Sequence, residues 1–427
     1  MKTAAVKYQC PLLGRLFKTL ALIAIVSSIA TPTIAAWTQF QGDAGHTGYA
    51  VSSGVPQLTL PTWTVTTVRF FDPTPAVRFY PGIASDGQNV FVSWLGNPST
   101  VSGVNAVNIA TGAEAWEWKF SGNDAEELSA PAYENGKLYV HRWGHSSSCG
   151  VTCNDKPRLF GINATNGTQL FDRTHSGQWS SGGRPTASGG NVYVAGGYYG
   201  GLDNYNGATG NIDWFASMPQ EYGWIPAAYG DKVFTSFFGN LTVVNKTTGG
   251  AQTLLSPTAG GYNASTPTVV SPNEAYVPYA NTITQFDPAN NYATWQYKIL
   301  NGSVANQGMA VGNSALYANL GSSVTAIDRK TGNFLWAWPT SDFTTSNLVL
   351  TNTHLFVASS TTTYAISLAT HATDWSAPYG GLLALDSGYL FVSNTNALHA
   401  FAVGVPEPSA MLLILSCVAF LVGFRKR

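Results

Sequence analysis

The chain has 427 residues, of which 10% are charged and 13% aromatic, with 44 glycines. Residues 37 to 404 carry 14 Lys plus Arg against 21 Asp plus Glu, a net charge of −7 that argues against nucleic acid as a partner. Packing material is plentiful and titratable groups are scarce, which suits one large closed sheet assembly of about 370 residues with no second domain.

Residues 1–36 read as an export signal. Lys2, Lys7, Arg15 and Lys18 form a basic start, Leu20 to Ala30 an apolar core, and Thr33-Ile34-Ala35-Ala36 a small-residue exit. The apolar run is shorter than the ~20 residues of a membrane span, which favours removal over a retained anchor. The mature chain then opens on Trp37-Thr38-Gln39-Phe40-Gln41-Gly42-Asp43-Ala44-Gly45-His46-Thr47-Gly48-Tyr49. We read it as a segment packed across the sheets that follow; the alternative makes Asp43 and His46 catalytic.

From residue 106 one unit recurs. Its clearest copy, Ala326 to Trp336, reads as a strand ending at Asp328, a turn through Arg329, Lys330 and Thr331, and a strand reaching Trp336. Gly332 falls where the hairpin needs positive φ, which glycine adopts without a Cβ clash. Other copies are Ala106 to Trp116 (Gly112), Gly161 to Phe171 (Gly167), Asn204 to Trp214 (Gly210) and Val243 to Thr253 (Gly249). Gln285 to Trp295 places Asn291 at the glycine position, and Ala365 to Trp375 places His371 there. Successive turn positions lie 55, 43, 39, 42, 41 and 39 residues apart, the period of propeller blades.

Between the hairpins lies a second pattern, a short strand, a Gly/Asn turn and an alternating aromatic strand, as in Ala132 to Val140. Eight copies of this inner pair run from Ile83 to Val92 through Leu383 to Val392, but only seven are followed by a turn hairpin. The last unit therefore needs an outer strand from elsewhere. Leu60-Pro61-Thr62-Trp63-Thr64-Val65 has the aromatic strand and no blade before it, so we expect it to complete the eighth blade and leave no seam open. The expected fold is all-β: an eight-bladed β-propeller of four-stranded antiparallel blades over residues 37–404, with apolar targeting helices at the two ends.

The opening segment and the Thr-Gly-x-x-x-Trp hairpins resemble the pyrroloquinoline-quinone-type (PQQ-like) β-propeller repeat family. That resemblance implies either a cofactor-dependent dehydrogenase or a cofactor-free scaffold that binds proteins. Dehydrogenases of this type use an adjacent Cys-Cys pair, calcium-binding carboxylates and a catalytic Asp. Here Cys149 and Cys153 are separated by three residues and no acidic pair matches those roles. We therefore expect no catalytic residue, no metal and no cofactor, with a PQQ- and calcium-dependent periplasmic dehydrogenase as the alternative.

Cys149 and Cys153 lie in a Ser/Gly-rich insertion that accounts for the 55-residue interval. In an exported protein a disulfide stapling this loop is the expected state; the competing reading joins His141 or His145 to the thiols around a metal. The connections leading into the inner strands contribute Glu126, Glu127, Arg184, Glu221, Tyr222, Trp224, Tyr262 and Gln307. In a propeller these converge on one face near the axis, where they form a candidate surface for a sugar or a partner peptide or are plain solvated loop residues. Gly196-Gly197-Tyr198-Tyr199-Gly200-Gly201 has no following helix to bind phosphate and reads as a flexible turn between two outer strands.

Residues 405–427 end the chain with Pro406-Glu407-Pro408, an apolar run from Ala410 to Phe424 and Arg425-Lys426-Arg427. This end resembles a PEP-CTERM sorting signal, which implies a Gram-negative source, an exosortase-type membrane protease as partner and transient inner-membrane association. Delivery to the cell surface or extracellular matrix and a link to exopolysaccharide and biofilm are implied with it. Fifteen helical residues cover ~22 Å of a ~30 Å hydrocarbon layer, a marginal span.

Overall fold

The computed structural model describes residues 37–66, 78–79, 82–95, 101–121, 128–142, 157–177, 183–219, 224–258, 260, 264–300, 304 and 308–404. The export signal, the Cys149 to Cys153 loop and the sorting tail lie outside them. Eight antiparallel sheets follow one another along the chain, each laid out from an innermost to an outermost strand. Blade 6 is representative, with strands Met309–Val311, Ala315–Asn319, Ser323–Asp328 and Phe334–Pro339. In blade 1 the innermost position is shared by two short pieces, Arg78–Phe79 and Ala84–Ser85, both paired to Asn89–Leu95.

The repeated turn is built from its own side chains. Asp328 Oδ1 accepts from the backbone N–H of Lys330 and Thr331 and from Thr331 Oγ1, and the Gly332 N–H closes the turn on the Asp328 carbonyl. These hydrogen bonds from Thr331 hold the Asp328 carboxyl below its ordinary range. Asn108, Asn206 and Asn245 take the Asp328 role in other blades. The turn glycines have φ between 70° and 73°, and Asn291 and His371 hold the same conformation at 63° and 60°.

Glycine at this position also serves the junction between blades. The aromatic of one blade's outer strand lies on the turn of the next: Trp63 on Gly112, Trp116 on Gly167, Phe171 on Gly210, Trp214 on Gly249 and Trp295 on Gly332. A Cβ there would come within 2.5 to 3.0 Å of the ring, closer than any side chain tolerates. Each of the four Trp residues donates its indole N–H to the carbonyl three residues before that glycine: Ile109, Ala164, Lys246 and Arg329. The Thr-Gly-x-x-x-Trp spacing is thus two halves of two different contacts.

Closure occurs where the count of hairpins requires it. Trp63–Thr66 pairs with Ala397–Ala402, so the eighth sheet contains the first and last strands of the propeller. No third-to-fourth hairpin exists in that blade, and Trp375 of blade 7 instead donates to the carbonyl of Leu58 at 3.2 Å. Strand alternation separates two faces. First-to-second and third-to-fourth hairpins lie on one, the turn face; second-to-third connections and passages between blades lie on the other, the loop face. The segment Gly196 to Gly201 corrects the sequence reading: it joins the second and third strands of blade 3, Asn191–Ala195 and Gly201–Asn206, on the loop face.

Candidate functional site

The axis of the ring is organised by residues 37 to 50. Backbone carbonyls of Trp37, Thr38, Ala44, Gly45, Thr47 and Gly48 accept from the N–H groups of Ser85, Tyr133, Ala228, Val269, Val311 and Leu350, at 2.6 to 2.8 Å. Those donors sit on the innermost strands of blades 1, 2, 4, 5, 6 and 7. Blade 3 is served by the Gln39 amide, which brackets Ala187 through both its N–H and its carbonyl. Asn347 does the same for Leu383 of blade 8. These innermost strands would otherwise present unpaired peptide groups to the channel; the segment satisfies those of blades 1 to 7 in chain order, and Asn347 serves blade 8.

Asp43 and His46 serve that path. The Asp43 carboxylate accepts from Thr47 N–H and Thr47 Oγ1, closing a turn, and burial raises its pKa. His46 is 1% exposed, and its Nδ1 lies 3.1 Å from the Pro267 carbonyl, which can only accept. The ring is therefore neutral with its proton on Nδ1, and burial carries its pKa down to about 3. Gly45 leaves no room for another residue, since a Cβ would stand 2.2 Å from the Val269 carbonyl oxygen.

Two of the sequence-selected ligand-face residues are described. Arg184, half-buried on the loop face, holds its guanidinium carbon 4.8 Å above the Phe40 ring, and burial lowers its pKa to about 10. Trp224 is not an open surface residue: it is 2% exposed and packs edge-on against Phe237 at 5.2 Å. Its indole is apolar packing between blades, so the ligand-face reading of this residue is corrected. Glu126, Glu127, Glu221, Tyr222, Tyr262 and Gln307 lie outside the described residues.

A buried polar cluster joins blades 2 and 3 on the same face, and sequence reasoning named only one of its members. His141 is the penultimate residue of the second strand of blade 2, Lys137–Arg142, His175 follows the outer strand of that blade, and Asp203 lies on the third strand of blade 3. His141 Nδ1 stands 3.1 Å from the Gly183 carbonyl and must donate to it. Its Nε2 is then the acceptor for His175 Nε2–H at 2.8 Å. This leaves His175 Nδ1 facing only acceptors, the Ser176 carbonyl at 3.2 Å and the Asp203 carboxyl at 3.5 Å. One additional proton is needed between His175 and Asp203. Burial raises the Asp203 pKa to about 7 and lowers that of His175 to about 4, so both shifts place it on the carboxyl. Tyr205, whose ring is 6.3 Å from His175, and Arg142, beside His141, complete the charged and titratable surroundings.

With both ring nitrogens engaged, His141 is not available to the proposed metal site with the thiols. Among the described residues no three His, Cys, Asp or Glu side chains converge as a metal site. The innermost peptide groups are consumed by residues 37 to 50, Asp43 by Thr47, and Asp386 by Ser85 and Ser387. Among the described residues these groups are therefore engaged within the fold and are not the free oxygen ligands of which a calcium ion requires several.

The family profile described as outer membrane protein assembly factor BamB matches residues 60–221, 104–253 and 200–404, overlapping passes around the ring. Among curated proteins none matches the sequence. Among solved structures, BamB from Moraxella catarrhalis is similar at 14% identity and a TM-score of 0.59, covering 80% of this chain and 96% of its own. A europium-containing methanol dehydrogenase matches at 12% identity and 0.64, covering 88% and 92%. The quinohemoprotein alcohol dehydrogenase from Comamonas testosteroni matches at 12% and 0.65, covering 90% and 82%. At these identities the structural likeness speaks for the fold alone.

Proposed function

This chain belongs to the PQQ-like β-propeller family whose profile is described as outer membrane protein assembly factor BamB, and from that premise we propose that it is an exported, non-catalytic binding scaffold of the cell envelope. The observation that carries this reading is the axis, where residues 37 to 50 hydrogen-bond to innermost strands around the ring and use the polar groups a cofactor would need. On the loop face the half-buried Arg184, braced over the buried Phe40 ring, supports a polar contact to a polysaccharide or surface-protein ligand. The dehydrogenase alternative draws on the fold it shares with the two enzymes above.

Affinity electrophoresis of the exported protein in gels containing the producing cell's own polysaccharide tests binding, and absorbance titration with PQQ and calcium tests the alternative. Retardation that weakens in Arg184→Ala, with no saturable absorbance change, is the expected result. A saturable quinone spectrum coupled to alcohol oxidation would replace the scaffold reading with the enzyme.

The reading extends to sorting. Pro406, Glu407 and Pro408 follow the last strand, which ends at Ala402. Replacing all three with Ala should leave folding intact while trapping full-length protein in the inner membrane, as read by fractionation and intact mass. Wild-type protein ending at residue 427 in the extracellular matrix would mean that the tail is not processed.

A further inference from the structure

We propose that the turn face of the propeller meets a lipid surface while the sorting tail is inserted, through Val51, Leu58 and Leu60, so that the loop face with Arg184 points away from the membrane. The inference rests on the sorting-tail reading and adds to it an orientation and a contact surface. Its first support is where the chain leaves the propeller. Ala402 pairs with Tyr389 beside the first turn of blade 8, Val403 N–H donates to the Gly388 carbonyl, and Gly404 N–H reaches Val55. All of these are on the turn face, and five residues then separate Gly404 from the apolar run that begins at Ala410. Such a tether spans at most ~18 Å fully extended.

The tail also shortens its own leash. On the sorting-tail reading, fifteen apolar residues inserted as a helix would cover only ~22 Å of a ~30 Å layer, a mismatch that would favour drawing the flanking residues toward the interface. Insertion of that kind would bring the face that holds Gly404 toward headgroup level.

The surface around that exit is of the right chemistry. Residues 51 to 58 run beside it: Ser52 accepts from Asn352, Gly54 N–H donates to Thr353, Pro56 bridges to Val403, and Leu58 receives the Trp375 indole. Leu58 is 69% and Leu60 67% exposed, and Val51 is exposed beside them. No residue from 49 to 66 is charged, so this edge of the turn face can enter the headgroup layer without desolvating an ion of its own, while the charged turns of the other blades, Asp231, Lys232 and Lys330 among them, stay in the aqueous layer. Leu58 and Leu60 gain by entering the headgroup boundary; the loop face also exposes Leu255, Leu300 and Phe343, so it is the exit of the chain beside Leu58 and Leu60 that selects the turn face.

The test uses the full chain reconstituted into phosphatidylethanolamine and phosphatidylglycerol vesicles that contain a diazirine-bearing phosphatidylcholine. After flotation and illumination, lipid adducts are mapped by mass spectrometry. The expected result is labelling of residues 410–424 together with residues 51–60, the latter several-fold above Tyr198 and Tyr199 on the loop face. Leu58→Ser with Leu60→Ser should lower the second signal and leave the tail signal unchanged. Labelling of the tail with residues 51–60 no higher than Tyr198 and Tyr199 would overturn the orientation while the sorting reading stands. Failure to float, with an unlabelled tail, would overturn both.

Discussion

Two neighbouring junctions solve the same problem differently. Between blades 5 and 6, Trp295 lies on Gly332 and donates to Arg329, so an aromatic plate and a missing Cβ lock one sheet to the next. Between blades 4 and 5 the outer strand offers exposed Thr253, and the turn carries Asn291. Both halves of the lock are absent together. In their place Gln296 Nε2 lies within 2.9 to 3.1 Å of the hydroxyls of Ser256, Thr258 and Thr284. The difference teaches that the repeated glycine has two duties: positive φ, which Asn also accepts, and room for the neighbouring ring, which only glycine leaves. His371 is a third solution, with the Trp336 ring stacked on its imidazole at 4.3 Å.

The largest effect should come from removing what makes the junctions a closed ring. Deleting residues 37–67 takes away both the closing strand and the axial segment, and the remaining chain should aggregate or fail to fold. A monomeric truncation with unchanged thermal unfolding would mean that the junctions alone suffice.

The junction between blades 2 and 3 has both an aromatic lock, Phe171 on Gly210, and the buried His141, His175 and Asp203 cluster. Burial lets folded Asp203 keep its proton to about pH 7, whereas an unfolded Asp releases it near its ordinary 3.8. The raised pKa gives stability that is complete below the lower value and is lost as pH rises through the upper one. An amide at this position can donate to His175 Nδ1 at every pH. Asp203→Asn should therefore gain on the parent between about pH 4 and pH 7, by up to about 4 kcal/mol, and hold a constant offset above. Denaturant unfolding across that range reads the difference, with the His175 titration followed alongside by NMR because its ring faces the substituted position; parallel curves would refute a proton held on Asp203.

Trp295→Ala should cost about 3 kcal/mol through lost packing, and Thr253→Ala at the neighbouring junction no more than about 0.5 kcal/mol. Equal losses in chemical denaturation would erase the contrast between the two junctions. The finest probe is the turn itself. Gly332→Ala should cost about 2 kcal/mol, from positive φ and a Cβ set against the Trp295 ring, whereas Asn291→Gly should stay within about 0.5 kcal/mol. A destabilising Asn291→Gly would show that the Asn side chain, rather than the backbone conformation, holds that turn.

The sequence by itself determined the blade period, the position of each third-to-fourth turn and the identity of the closing strand. Each of these is local: a positive-φ turn needs Gly or Asn, a strand alternates, and seven hairpins for eight inner pairs leave one strand to be supplied by Trp63. Only the tertiary structure decided which partner each signal has. Gly332 and Trp336 are read as one hairpin, yet Gly332 receives Trp295 from the blade before, because adjacent sheets pack against each other in a pairing that no single repeat contains. Residues 37 to 50 carry glycines, a histidine and an aspartate with no period to betray their path, which is set by the unpaired inner edges of the blades they visit. His175 and Asp203, 28 positions apart, face each other at 3.5 Å out of water only because two sheets pack there, and Trp224 is core for the same reason: burial belongs to the packed pair of blades and not to either strand alone.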